Sequence, residues 1–155
     1  MATRLNYAIT GSKAYRAMSH LEHAVGNCGL ESSLLELVKL RASQMNGCAY
    51  CIDMHTKDAR AAGESEQRIY LLSAWREAPF YSERERAALE WTEALTLIAD
   101  NHVPDAIYER VAAHFTEEEL ANLTLAVVTI NAWNRFAISF RSEPGTYQPQ
   151  HTITH

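Results

Sequence analysis

Apolar side chains recur at helical spacing along nearly the whole chain, and no segment alternates with the period of two that a half-buried strand requires. Ala14, Met18, Leu21 and Val25 form one stripe, closed by the breaker Asn27-Cys28-Gly29, which predicts a first helix from about Ser12 to Asn27. Leu34, Leu37, Val38 and the run from Leu40 to Met45 continue as a second helix, which Asn46-Gly47 stops. Cys48 therefore opens a third helix, ending near Gly63. Ser65 begins another through Ala74, ahead of a Trp75 to Tyr81 connection that contains Pro79. Ser82 with Glu85, and Thr116 with Glu119, have the spacing of capping boxes, in which a hydroxyl and a carboxylate each satisfy an orphan amide. The first precedes RAALEWTEALTLIA; the second opens the longest helix, to about Phe140. Pro104 stands where a proline at the first helical position belongs.

Leu120, Leu123, Leu125, Ala126, Val127, Val128, Ile130 and Trp133 make the middle of that longest helix apolar on nearly every side. Such a helix is expected at the centre of a core or between subunits, so self-association is expected. Pro144-Gly145 ends regular structure, and the polar tail to His155 is expected to be loose or to lie on a neighbouring subunit. The fold class is thus all-α, with about six to seven helices. Neither repeats nor linkers divide the 155 residues, so a single domain over 1–155 is expected, with 141–155 a non-helical tail.

The net charge of −5 comes without a cluster of Lys and Arg, which argues against nucleic acid as a partner. No apolar run reaches the roughly 18 residues of a membrane span, and MATRLNYAIT lacks the apolar segment of a secretory signal. A cytoplasmic location without membrane contact is the expectation. Three cysteines, two of them close together, do not form the framework of a disulfide-stapled secreted domain.

Candidate chemistry is concentrated in ELVKLRASQMNGCAYCIDMH, residues 36–55. Cys48, Cys51 and His55 stand at i, i+3 and i+7, which a helix gathers onto one face. A thiol at a helix start or beside an imidazolium has its pKa lowered from about 8.5 into the range of about 3.5 to 7.5, and the thiolate is the nucleophile. A second thiol three residues away can capture a sulfenic acid as a reversible disulfide before it over-oxidises. Histidine titrates near working pH and a partly buried carboxylate can be raised toward it, so His55 and Glu36 are candidate proton carriers.

Blander readings exist for each residue. Glu36 could be the capping partner of Ser33, and His55 a core histidine. Cys48, Cys51 and His55 could ligate zinc, with Glu36 or Cys28 as the fourth ligand. Cys28 otherwise reads as a small, inert side chain. Asn131 and Asn134 are expected to satisfy hydrogen bonds in the core or to face the thiols. Trp75, Trp91 and Trp133 read as core or interface anchors, and Arg41 and Gln44 as braces of the junction between the second and third helices. A thioredoxin-like fold is excluded by pattern, because its Cys-X-X-Cys follows a strand and this one follows a helix.

Glu36, Cys48, Cys51 and His55, within NGCAYCIDMHTKDARAAGE, closely resemble the AhpD-like alkylhydroperoxidases of the carboxymuconolactone decarboxylase family, and the similarity extends to SERERAALEWTEALT and NLTLAVVTINAWNRF. The resemblance implies a compact helical fold assembled as trimers or larger rings such as hexamers. It further implies a peroxidase reaction on small hydroperoxides that needs no metal, haem or flavin cofactor and is recycled by a cellular dithiol or protein reductant. Carried over by position, Cys51 is the attacking thiolate, Cys48 resolves it, and Glu36 and His55 relay protons. Some members have a histidine inside the Cys-X-X-Cys where this chain has Tyr50, so a relay through a second imidazole is not expected here. Rival expectations are an oxidoreductase acting on protein disulfides or lipoyl groups, and a non-catalytic redox sensor or metal-binding oligomer. A lactone decarboxylase is least compatible, since that chemistry has no use for a vicinal dithiol.

Overall fold

A computed structural model describes residues 1–149, and the last part of the expected tail, from 150 onward, lies outside the described residues. Every regular element among the described residues is helical. They are α1 (Tyr7–Thr10), α2 (Ser12–Gly26), α3 (Ser32–Asn46), α4 (Ala49–Ala61), α5 (Glu66–Tyr70), α6 (Glu83–Thr96), α7 (Ile98–Asn101), α8 (Asp105–Ala112) and α9 (Glu117–Phe140), with a 3-10 turn at Leu72–Ala74 after α5.

Local chemistry accounts for most boundaries. Both capping boxes form: the Ser82 and Thr116 hydroxyls accept from the amides of Glu85 and Glu119, whose carboxylates accept in return from the amides of Ser82 and Thr116. Gly47 ends α3 in the left-handed region at φ 67°, where a side chain would be strained. The helix expected from Ser65 through Ala74 is shorter, since the chain tightens into the 3-10 turn after Leu71. Of the segment TLIA only Thr96 belongs to α6; Leu97 interrupts the helix and α7 follows it. Pro104 lies one residue earlier than expected, at the N-cap of α8, where its missing N–H is equally harmless.

α3 is the most enclosed helix: eight of its fifteen residues are buried, against eight of the 24 in α9. It packs on α6, α9 and α4 at once. Leu34, Leu35 and Val38 meet α6 and α9 residues such as Trp91, Leu123 and Val127 in one core cluster, while Leu37 and Leu40 join Leu72, Trp75 and Leu89 in a second. α9 is a central core helix along one face, yet Val128 and Ile138 are about half exposed on another. The site therefore stands on α3, whose position is fixed from three sides.

Candidate active site

Between α3 and α4 the chain turns in two residues. The amides of Gly47 and Cys48 donate to the carbonyls of Gln44 and Ser43, closing α3, and Cys48 serves at once as the N-cap of α4. Its sulfur accepts from the amide of Cys51 at 3.3 Å. The two cysteines are bonded to each other, with Cα atoms 5.3 Å apart, and both are almost completely buried.

A set of asparagines holds this turn against α9. Nδ2 of Asn46 donates to Oδ1 of Asn131 and of Asn134, at 3.0 and 2.8 Å, and Asn134 donates to the Ser43 hydroxyl at 3.0 Å. Asn131 and Asn134 thus satisfy core hydrogen bonds. Arg41 does not brace the junction; its Nε donates to Glu93 on α6 at 2.8 Å.

Beyond the cysteines, His55 Nδ1 lies 3.1 Å from Oε2 of Glu36, so α4 and α3 meet through an imidazole and a carboxylate. Ser33 lies inside α3 rather than at its cap, which removes the capping reading of Glu36. Lys39, one turn further along, is buried, pairs with Glu22 and stands 3.7 Å from Glu36. Burial pushes the Glu36 carboxyl upward, but the hydrogen bond and charge of His55, joined by Lys39, outweigh it and hold the group below its usual value of 4.5. The expectation of a raised carboxylate is therefore corrected: Glu36 is ionised and acts as an acceptor.

The carboxyl that burial does raise is Asp58, one turn after His55, despite a 2.7 Å hydrogen bond donated by the Tyr147 hydroxyl. Tyr147 belongs to the tail expected to be loose or on another subunit. Instead Lys57 donates to the carbonyl of Tyr147, and Asp53 accepts from the amide of Gly145, so residues 145–147 lie on α4 of their own chain.

Cys51, His55, Glu36 and Asp58 line one cavity of about 300 Å³, together with Lys39. The same cavity is lined by the aromatic rings of Tyr7, Tyr15 and Trp133, and by Met54. Trp133 is thus a cavity wall as well as a packing anchor, its indole N–H bonded to Glu22. Cys48 does not line this cavity. It lines a second one, of about 470 Å³, and Tyr50 borders both.

Asp58, Tyr7, Tyr15, Asn46 and Tyr147 escaped sequence reasoning. Only Asp58 carried a signal, at i+7 from Cys51 on the same helix face. The metal set Cys48, Cys51, His55 and Cys28 is not assembled, since Cys28 packs against the core cluster around Val25 and Leu120. Among the described residues, Glu36, His55 and Asp58 have ligand atoms within 4.8 Å of one another and could hold a cation. Their own hydrogen bond would have to open for it.

Fold and site together define an all-helical vicinal-dithiol protein. The chain belongs to the carboxymuconolactone decarboxylase family, whose model matches residues 12–94. It is 47% identical over 139 residues, 90% of this chain and 95% of its relative, to the uncharacterized protein YdfG of Bacillus subtilis. It is also 44% identical to the alkyl hydroperoxide reductase AhpD of Bradyrhizobium diazoefficiens over 45 residues, 29% of this chain and 25% of that one. A crystal structure from Agrobacterium tumefaciens, of a protein of unknown function for which an AhpD-type role in antioxidant defence has been suggested, superposes with a TM-score of 0.91 at 48% identity. That match covers 94% of this chain and 100% of the other.

Proposed function

We propose that the protein is an AhpD-like dithiol peroxidase that reduces organic hydroperoxides or hydrogen peroxide through a Cys48–Cys51 disulfide cycle. The observation that carries this reading is the sharing of one cavity by Cys51, His55 and ionised Glu36, with Cys48 bonded to Cys51 from outside it. Glu36 can only accept, so Nδ1 of His55 donates to it and Nε2 is the nitrogen that exchanges protons.

In the cycle, the Cys51 thiolate attacks the terminal peroxide oxygen, the O–O bond breaks, and the departing alkoxide takes a proton from His55. Cys51 is left as a sulfenic acid. The Cys48 thiolate then attacks its sulfur and expels hydroxide, which leaves as water after protonation. One hydroperoxide and two thiols become an alcohol, a water and a disulfide. Cys48 is suited to resolving because the N-terminal amides of α4 stabilise its thiolate. The aromatic wall offers apolar surface to the organic part of a hydroperoxide. The reading takes the whole chain as one domain, acting as a trimer or hexamer in the cytoplasm, with a cellular dithiol or protein as reductant.

The test is to expose fully reduced, metal-free protein to a small excess of cumene hydroperoxide, count free thiols and map disulfides by mass spectrometry. Three thiols should fall to one, with Cys48 joined to Cys51. Retention of all three by folded protein would sink the reading.

A further inference from the structure

The two bonded cysteines line different cavities. Cys51 lines the cavity that holds His55 and Glu36; Cys48 lines the other, bounded by Ala49, Ile138, Arg141 and Pro144 where the ends of α4 and α9 meet the tail. We infer that the Cys48 cavity is the entry site of the reductant, a small dithiol, and that the two halves of the cycle are served from opposite sides of the disulfide. The inference rests on the peroxidase reading for the meaning of the other side, but not for its own test.

Access sets that direction. Thiol–disulfide exchange requires a thiolate to attack one sulfur while the other leaves, and the sulfur that an entering thiol can reach is the one attacked, even where the other would be the poorer leaving group. A sulfur entering from the second cavity meets Cys48 and expels Cys51. The S–S electron pair goes to Cys51, which takes its proton in the cavity it shares with His55, one helical turn away. The second thiol of the reductant then closes on the first, expelling the Cys48 thiolate, whose sulfur accepts the Cys51 amide at the start of α4. Two electrons pass from the dithiol to the protein, and the dithiol leaves as its own disulfide. Arg141 and Glu143 both line the cavity, so its wall offers an entering thiol one side-chain charge of each sign. Tyr50, bordering both cavities, has its phenol pushed upward by burial and is a neutral partition between them.

The experiment starts from protein oxidised with diamide, so the disulfide forms without any peroxide. Brief exposure to 2-mercaptoethanol, a quench with N-ethylmaleimide and mass-spectrometric mapping should place the mercaptoethanol adduct on Cys48 and the maleimide on Cys51. The reverse placement overturns the inference. Ala49 is the exposed first residue of α4, so A49W narrows the cavity without disturbing the core. It should slow reduction by dithiothreitol at least tenfold, and an unchanged rate also overturns the inference. A chain that consumes no cumene hydroperoxide would fail the peroxidase reading alone.

Discussion

His55 and Glu36, 19 positions apart in sequence, meet at 3.1 Å where α4 crosses α3, and the contact fixes both the charge of the carboxylate and the tautomer of the imidazole. Glu36→Gln keeps the shape and removes the charge. Oxidation of Cys51 by cumene hydroperoxide should slow by about 10²-fold, the lower end of what a placed proton carrier contributes. Circular dichroism should show an unchanged fold. A wild-type rate would reduce Glu36 to a packing residue.

The cysteines should separate by variant. Cys51→Ser should abolish hydroperoxide-driven thiol loss, whereas Cys48→Ser should accumulate a sulfenic acid on Cys51 that a dimedone probe traps. Labelling of Cys48 in Cys51→Ser would exchange their roles.

Glu93 collects the buried indole N–H of Trp75 and Nε of Arg41, each at 2.8 Å, and an ion pair with Arg76. Burial pushes its carboxyl upward, but these three partners together hold it below 4.5. Glu93→Leu should cost about 3 kcal/mol in urea unfolding at neutral pH, because it strands a cation and an indole. A lowered folded pKa means that the stabilisation is complete above the unfolded value and is lost as pH falls through the folded one. The gap between wild type and variant should accordingly narrow below pH 4.5.

Asn134 is fully buried between Asn46 and Ser43. Asn134→Leu should lower stability by about 2 kcal/mol, because Asn46 and the Ser43 hydroxyl each lose one of two buried partners. It should also slow Cys51 oxidation, because the turn carrying Cys48 loses one of its two anchors on α9. A destabilised variant with wild-type oxidation kinetics would separate the asparagine set from the chemistry.

Tyr147→Phe removes the hydrogen bond that opposes the upward push of burial on Asp58. The Asp58 titration midpoint, followed by carboxyl carbon NMR, should move higher still. A downward move would contradict the assigned contact.

What the sequence disclosed was local. Gly47, Ser82 with Glu85 and Thr116 with Glu119 act within one turn of chain, and each marks a boundary where the structure has one. The juxtaposition of Cys48, Cys51 and His55 followed from helical spacing alone. The meeting of Glu36 with His55 is tertiary and came through resemblance. Asp58 had the right spacing, but an acid on a helix is ordinarily a solvated one, and its burial depends on a tail whose docking no periodicity encodes. Asn46 read only as a stop signal, since its partners lie 85 and 88 residues away. The raised state expected of Glu36 failed because His55 bonds it across α3 and α4, with Lys39, buried on a helix face that looks apolar, adding to the effect.

Tyr7 and Tyr15 stand near the start of the chain, while Trp133 lines the same cavity and Tyr147 bonds the Asp58 on its wall. During synthesis, the cysteine helix emerges from the ribosome long before the walls that surround it are complete. A product ended before Trp133 would carry both cysteines without the wall that closes the cavity around Cys51 and His55, so the enclosure of the site is completed only by residues made long after α4.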